Sequence, residues 1–242
     1  MSEDKSAFGQ AIGSPVPDWT TRPAPSRAPM EGRYCRLEPL QADVHAAALY
    51  DAYAEFPNES NWTYLPYGPF ATVSEYKEWI SEIESVDDPI PFAIVTRPDL
   101  RPVGVAAYLR VNPPQGSIEV GHLCYSPALQ RTAAATEAMY LMMRHVFAEL
   151  GYRRYEWKCD SLNTASRAAA QRLGFEYEGT FRQAMVMKGR NRDTAWFSIL
   201  DTEWREIRIA LERWLEPSNF DGAGRQQKRL QALMRETRSP AR

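Results

Sequence analysis

The stretch EVGHLCYSPALQRTAAATEAMYLMMRHVF, residues 119–147, decides how the chain is read. It begins as a strand, turns at Ser126-Pro127 and opens a long amphipathic helix behind the small-residue run RTAAATEA. Ala135, Met139, Met142, Val146 and Leu150 recur every three or four residues and predict one packed face, with Glu137 and Arg144 pointing away. At the helix start, Ala133, Ala134 and Ala135 leave the backbone amides uncovered. Those donors lack intrahelical partners and sit at the positive end of the helix dipole, which suits a phosphate or pyrophosphate. Alanine is also the best helix former, so the run taken alone equally fits an ordinary helix start.

The flanks set the fold class. Upstream, RYCRLEPL reads as a short strand, ADVHAAALYDAYAEF as a helix, and Thr72-Val-Ser-Glu75 as a capping box opening a second helix through Ile83. Between the helices lies the aromatic, proline-rich NWTYLPYGPF. PFAIVT and PVGVAAYLRV form a predicted hairpin leading into the quoted strand. Downstream, RRYEWKC is a strand, NTASRAAAQRLGF a helix ending at Gly174, EYEGTFR and DTAWFSIL two strands, and DTEWREIRIALERWLE a helix. This mingling predicts an α/β domain on a mixed sheet over residues 31–215. A proline-rich arm (residues 1–30), with Trp19 available to pin it, precedes the domain, and a basic tail (216–242) expected to fray from Pro217 follows it.

Composition narrows the partners. A net charge of -2 provides no global field for nucleic acid or an anionic membrane. The tail RQQKRLQALMRETRSPAR is locally basic but lacks interleaved aromatics, so RNA contact ranks low. Three scattered cysteines argue against a disulfide framework and a zinc site, no apolar run reaches bilayer length, and the N-terminus has no signal-like core. A reduced, cytoplasmic setting without metal is the expectation.

Taken together, Glu119-x-Gly121 on a strand, QRTAAATEA in place of a Gln/Arg-x-x-Gly-x-Gly/Ala turn, Asn163-x-x-Ser166 and the helix end RLGF resemble the GCN5-related N-acetyltransferase superfamily. NTASRAAAQRLGF, FEYEG and RDTAWFSILDTEW are similar, more narrowly, to its branch of ribosomal-protein N-terminal acetyltransferases. The resemblance implies a mostly antiparallel mixed sheet flanked by helices, with splayed central strands that bind acyl-CoA, and transfer of acetyl from acetyl-CoA to a primary amine in a ternary complex. It assigns the pyrophosphate to the backbone of Gln130, Arg131, Thr132, Ala133, Ala134, Ala135 and Thr136. The pantetheine arm falls to the strand edge Leu123, Cys124 and Tyr125, and Asn163 with Ser166 lie near the reactive end. A homodimer is left open.

Two positions depart from the family pattern. Ala133 replaces its first glycine, adding a methyl where backbone meets phosphate. Ala170 stands where many members carry a tyrosine that protonates the departing thiolate, leaving Ser166 or water for that role. Glu119 is the leading candidate base, provided burial raises its pKa, and His122 is the rival if a bulge brings the two to one face. Cys124 invites an acetyl-cysteine relay but has no cationic neighbour in sequence. On the acceptor side, Trp62, Tyr64 and Tyr67 are the predicted pocket, Glu55, Asn58 and Glu59 could orient a cation, and Arg182, Lys188, Arg190 and Arg192 fall in a basic loop suited to a carboxylate or phosphate. A protein N-terminus and a small amine such as an antibiotic or polyamine stay open as acceptors. A non-catalytic acyl-CoA sensor is the other class to separate.

Overall fold

The computed structural model describes residues 4–238. In chain order the elements are β1 (Met30–Glu31), β2 (Cys35–Pro39), α1 (Ala42–Ala54), α2 (Val73–Ile83), β3 (Ile90–Thr96), β4 (Pro102–Asn112), β5 (Ser117–Tyr125) and α3 (Ala133–Arg144). They continue as β6 (Arg154–Asp160), α4 (Thr164–Arg172), β7 (Glu176–Met187), β8 (Arg190–Leu200), α5 (Asp201–Leu215) and α6 (Leu230–Arg238). Among the described residues the strands make one sheet, ordered β1-β2-β3-β4-β5-β6-β8-β7. Every neighbouring pair is antiparallel except β5 and β6. This is the predicted mixed, mostly antiparallel architecture.

Alternation along the strands divides the core between the two faces. Phe92, Ile94, Tyr108, Ile118, Val120 and Phe197 meet α3 and α5 in the larger cluster, while Ala93, Val95, Val105 and Cys124 meet α1 and α2 in a smaller one. Thr72 caps α2 by accepting the Glu75 amide at 3.2 Å, and the Glu75 carboxylate returns to the amide of Ala71. Met139, Met142 and Val146 are buried, as the stripe predicts, but Glu137 does not point to solvent. Its carboxylate accepts the amides of Arg33, Tyr34 and Cys35, so a residue that looked like the helix's wet side anchors β2 instead.

Two segments differ from expectation. Residues 182–194, read as a loop, lie almost wholly within the β7–β8 hairpin. Only Lys188 and Gly189 turn, both at positive φ (50° and 73°), as a two-residue type I′ connection requires. Past Pro217, where fraying is expected, the chain makes a helical turn (Pro217–Asn219) and then α6. Asn219 holds this segment: its amide nitrogen donates to the Trp214 and Lys228 carbonyls (3.0 and 3.2 Å) and its oxygen accepts the Lys228 amide (2.9 Å). Asn219→Ala should cost about 2 kcal/mol locally and speed tryptic cleavage after Arg225 and Lys228 roughly 30-fold. Residues 1–3 and 239–242 lie outside the described residues. In the arm, the Trp19 indole donates to the Pro114 carbonyl at 2.9 Å.

Candidate active site

Strands β5 and β6 pair only between Ser117–Val120 and Arg154–Trp157, although β5 runs on to Tyr125 and β6 to Asp160. Beyond Val120 they part. On its other edge, β5 inserts a residue against β4: Val105 faces Cys124 and Ala107 faces Gly121, so Ala106 alone opposes His122 and Leu123. His122 takes the left-handed φ of 51° that such a bulge imposes. A cleft of about 2280 Å³ runs through the parted strands, and Glu119, His122, Leu123, Cys124, Tyr125, Asn163, Ser166 and Tyr64 all line it.

Helix α3 begins at the edge of the cleft. Thr132 caps it, accepting the Ala135 amide at 3.1 Å and donating to the Leu129 carbonyl at 2.7 Å. The amides of Ala133 and Ala134 belong to the first turn, where no intrahelical acceptor exists. Gln130, Arg131, Thr132, Ala133, Ala135 and Thr136 line the cleft. Ala134 does not: its side chain is buried and its carbonyl receives the Cys35 thiol at 3.5 Å. The left-handed residue of this turn is Arg131 (φ 62°), whereas Ala133 is already helical, so no glycine is needed there for the backbone. Arg172 of α4 donates to Thr136 Oγ1 at 3.1 Å and lies over the Trp214 ring at 4.8 Å, adding a cation to this end of the cleft.

Asn163 caps α4 by accepting the Ser166 amide at 3.0 Å. Ser166 Oγ accepts the Trp157 indole N–H at 2.9 Å, which fixes the oxygen, and its hydroxyl hydrogen is available to donate, with the Cys159 sulfur as its neighbour. Ala170 is fully buried, so a phenol at that position would have to displace core.

The two candidate bases now share the cleft, but neither has the predicted environment. Glu119 Oε2 meets Arg110 Nη1 at 2.6 Å and Lys158 Nζ at 2.8 Å, and Lys158 also pairs with Glu156 at 2.7 Å. The carboxylate is an anchor between two cations rather than an isolated group beside a thioester. His122 is pushed down to about 4 by burial and by the Arg110 charge, so it is neutral across the physiological range. Its ring stacks on Tyr67 (5.2 Å, 11°), and its buried Nδ1 has no partner among the described residues. Cys124 faces α1 and α2, where burial pushes its thiol up to about 12, so it offers no thiolate.

The His122 shift has a sign that can be measured. Because the folded chain binds the proton less tightly than an unfolded histidine, its contribution to stability is complete above pH 6.5 and is lost as pH falls toward 4. A drop of about 3 kcal/mol over that window is expected, read by thermal melts at successive pH values, and His122→Gln should flatten it.

Of the predicted acceptor aromatics, Tyr64 lines the cleft and donates to the Leu162 carbonyl at 3.3 Å. Trp62 does not line it. Trp62 is buried edge-on against Tyr53 and Phe70 (both 5.4 Å), holding the α1–α2 loop together. Tyr67 is packed on Trp79 (4.1 Å) and reaches the site through His122. Glu55 pairs with Arg101 at 2.6 Å, away from the cleft. At the hairpin tip, Lys188 Nζ donates to the carbonyls of Trp62 (2.8 Å) and Tyr67 (3.1 Å), tying β7–β8 to the aromatic loop. Sequence reasoning missed Arg110, Lys158, Asp160, Thr194 and Trp196 as cleft residues. The one available signal was the strand alternation of RYEWKCD and RDTAWFSI, which puts Lys158 and Asp160, then Thr194 and Trp196, on common faces.

Comparison with known proteins agrees with this architecture. The acetyltransferase (GNAT) domain family matches residues 35–176. The chain is similar to a GCN5-related N-acetyltransferase of Brucella melitensis, with 47% identity and a TM-score of 0.89, covering 91% of this chain and 100% of that one. It is also similar to a probable GNAT-family acetyltransferase of Chromobacterium violaceum ATCC 12472 (42% identity, TM-score 0.75, 81% of this chain and 98% of that one). The uncharacterized N-acetyltransferase p20 of Bacillus licheniformis is 26% identical over 148 residues, 58% of this chain and 80% of that protein. The chain belongs to the GNAT acetyltransferases and is an acyltransferase.

Proposed function

We propose that this acetyltransferase moves the acetyl group of acetyl-CoA to a primary α-amine by direct attack, with both substrates bound. The observation that carries the reading is the opened edge of β5, Leu123–Tyr125, leading into the capped start of α3. A pantetheine arm would pair with that edge, and a pyrophosphate would meet the amides between Gln130 and Thr136. The fit has an independent mark: the Tyr125 hydroxyl, buried in the cleft wall, has no partner among the described residues. The bound thioester supplies an acetyl carbonyl that a nitrogen lone pair can attack.

The chain's own groups manage the protons. As the C–N bond forms and the C–S bond breaks, the ammonium of the acceptor gives up two hydrogens, one ending on the thiol and one in solvent. Ser166, fixed by Trp157, has a hydrogen to donate toward the departing sulfur. His122 can accept a hydrogen bond at Nδ1 but does not retain a proton at neutral pH, so the proton passes on to water. The high thiol pKa of Cys124 favours direct attack over an acetyl-cysteine relay. The similarity of NTASRAAAQRLGF to ribosomal-protein N-terminal acetyltransferases favours an α-amine over a side-chain amine.

Calorimetric titration with acetyl-CoA, followed by thiol release in the presence of primary amines, tests the reading. Micromolar binding and amine-dependent release are expected. Absence of binding, or release independent of any amine, would overturn it.

A further inference from the structure

Strand β8 places Arg192, Thr194 and Trp196 on one face, since side chains two apart in a strand share a side. Ala195 and Phe197, on the opposite face of the strand, belong to the core packed on α3 and α5, so this row looks away from that core. Its position is fixed by Lys158, whose Nζ lies 3.8 Å from the Trp196 ring while bonding Glu119. The row is therefore on the Glu119 side of the parted strands, and all three residues line the cleft.

Each of the three carries a buried polar atom without a partner among the described residues: Arg192 Nε, Thr194 Oγ1 and Trp196 Nε1. Two of these atoms can only donate, and the hydroxyl can do so. Thr194 is 5% exposed. Arg192 Nη1 reaches only the thioether of Met187 at 3.6 Å, a weak acceptor, and Arg192 makes no ion pair among the described residues. Opposite Thr194 in the β6–β8 register stands Asp160, 8% exposed, whose carboxylate accepts the Leu162 amide at 2.8 Å and has no cation among the described residues. One wall of the cleft thus holds a row of unmet donors with a guanidinium, beside an unneutralised carboxylate.

We propose that the acceptor is a free α-amino acid, its carboxylate held by Arg192, Thr194 and Trp196 and its ammonium drawn toward Asp160; this rests on the acetyltransferase reading above. A carboxylate meets such a row with charge-assisted hydrogen bonds. A polyamine would face Arg192 and Lys158 with one free carboxylate to attract it, and a protein N-terminus carries an amide where the row calls for an anion.

The test is thiol release with acetyl-CoA and each of the twenty L-amino acids, their carboxamides, and putrescine. At least one amino acid should exceed its carboxamide in kcat/KM by roughly 20-fold, the scale of a lost charge-assisted bond. Arg192→Ala should bring that ratio to about 1, Arg192→Lys should restore part of it, and Thr194→Val should lower it independently, with the Kd for acetyl-CoA unchanged in all three. Equal rates for acid and carboxamide, a ratio indifferent to Arg192, or turnover confined to putrescine would overturn the proposal while leaving acetyl transfer intact. A native protein that binds no acetyl-CoA would remove both readings together.

Discussion

Replacing Ala133 by aspartate is expected to raise the Kd for acetyl-CoA about 100-fold without lowering the melting temperature. Ala133 is the first residue of α3 and lines the cleft, so the new carboxylate would stand where the pyrophosphate is expected. Like charges near a protein surface repel by about 4 kcal/mol at 4 Å, which leaves room for the predicted loss of binding. The same carboxylate at a helix N-terminus stabilises the helix, so folding should hold or improve. Ala134→Asp would be a poorer probe, because that side chain is buried and a charge there would disturb packing near Cys35. Unchanged affinity in a folded Ala133→Asp protein would move the phosphates elsewhere on the cleft.

Glu119→Gln should cost more stability than catalysis. The substitution leaves the Lys158 ammonium, 8% exposed, with Glu156 alone, and frees Arg110. Breaking one side of a buried pair costs about 3–5 kcal/mol, moderated here by the remaining partner to about 3 kcal/mol, or a fall of roughly 6–12 °C in Tm for a chain of this size. Lys158→Met combined with Glu119→Gln should recover part of that loss, since the stranded charge is then removed. The acid limb of the kcat/KM profile should not shift. If Glu119→Gln instead abolishes that limb at unchanged Tm, the carboxylate is the base and the anchor reading fails.

The centre of the fold was legible because its signals are local. The β5 strand, the Thr72–Glu75 capping box and the Met139/Met142/Val146 stripe each announce themselves within a few residues, and Asn163 and Ser166 sit at a fixed spacing in a capped helix. What was missed depends on distant partners. Glu137 reads as a solvent-facing helix residue until β2 brings three amides to it. The two strands of the β7–β8 hairpin were legible, but not their extension through residues 182–194 to a tight turn, because the edge strand is exposed nearly throughout and so lacks burial-driven alternation, and because Lys188-Gly189 is not one of the commonest turn pairs. The segment after Pro217 is polar in composition, and its structure comes from what Asn219 and Trp214 grip. Glu119 lines the cleft, but its cations come from β4 and β6, and no reading of its own strand could supply them.

The Lys188 tether has a consequence for traffic. By joining the hairpin tip to the carbonyls of Trp62 and Tyr67, its ammonium closes a hoop around one end of the cleft: β5, the α1–α2 loop, the hairpin and β6. A hoop admits only what can be threaded through it. A folded surface loop, with chain leaving on both sides, cannot be laid in from the flank, whereas a free end or a small molecule can pass in and back out.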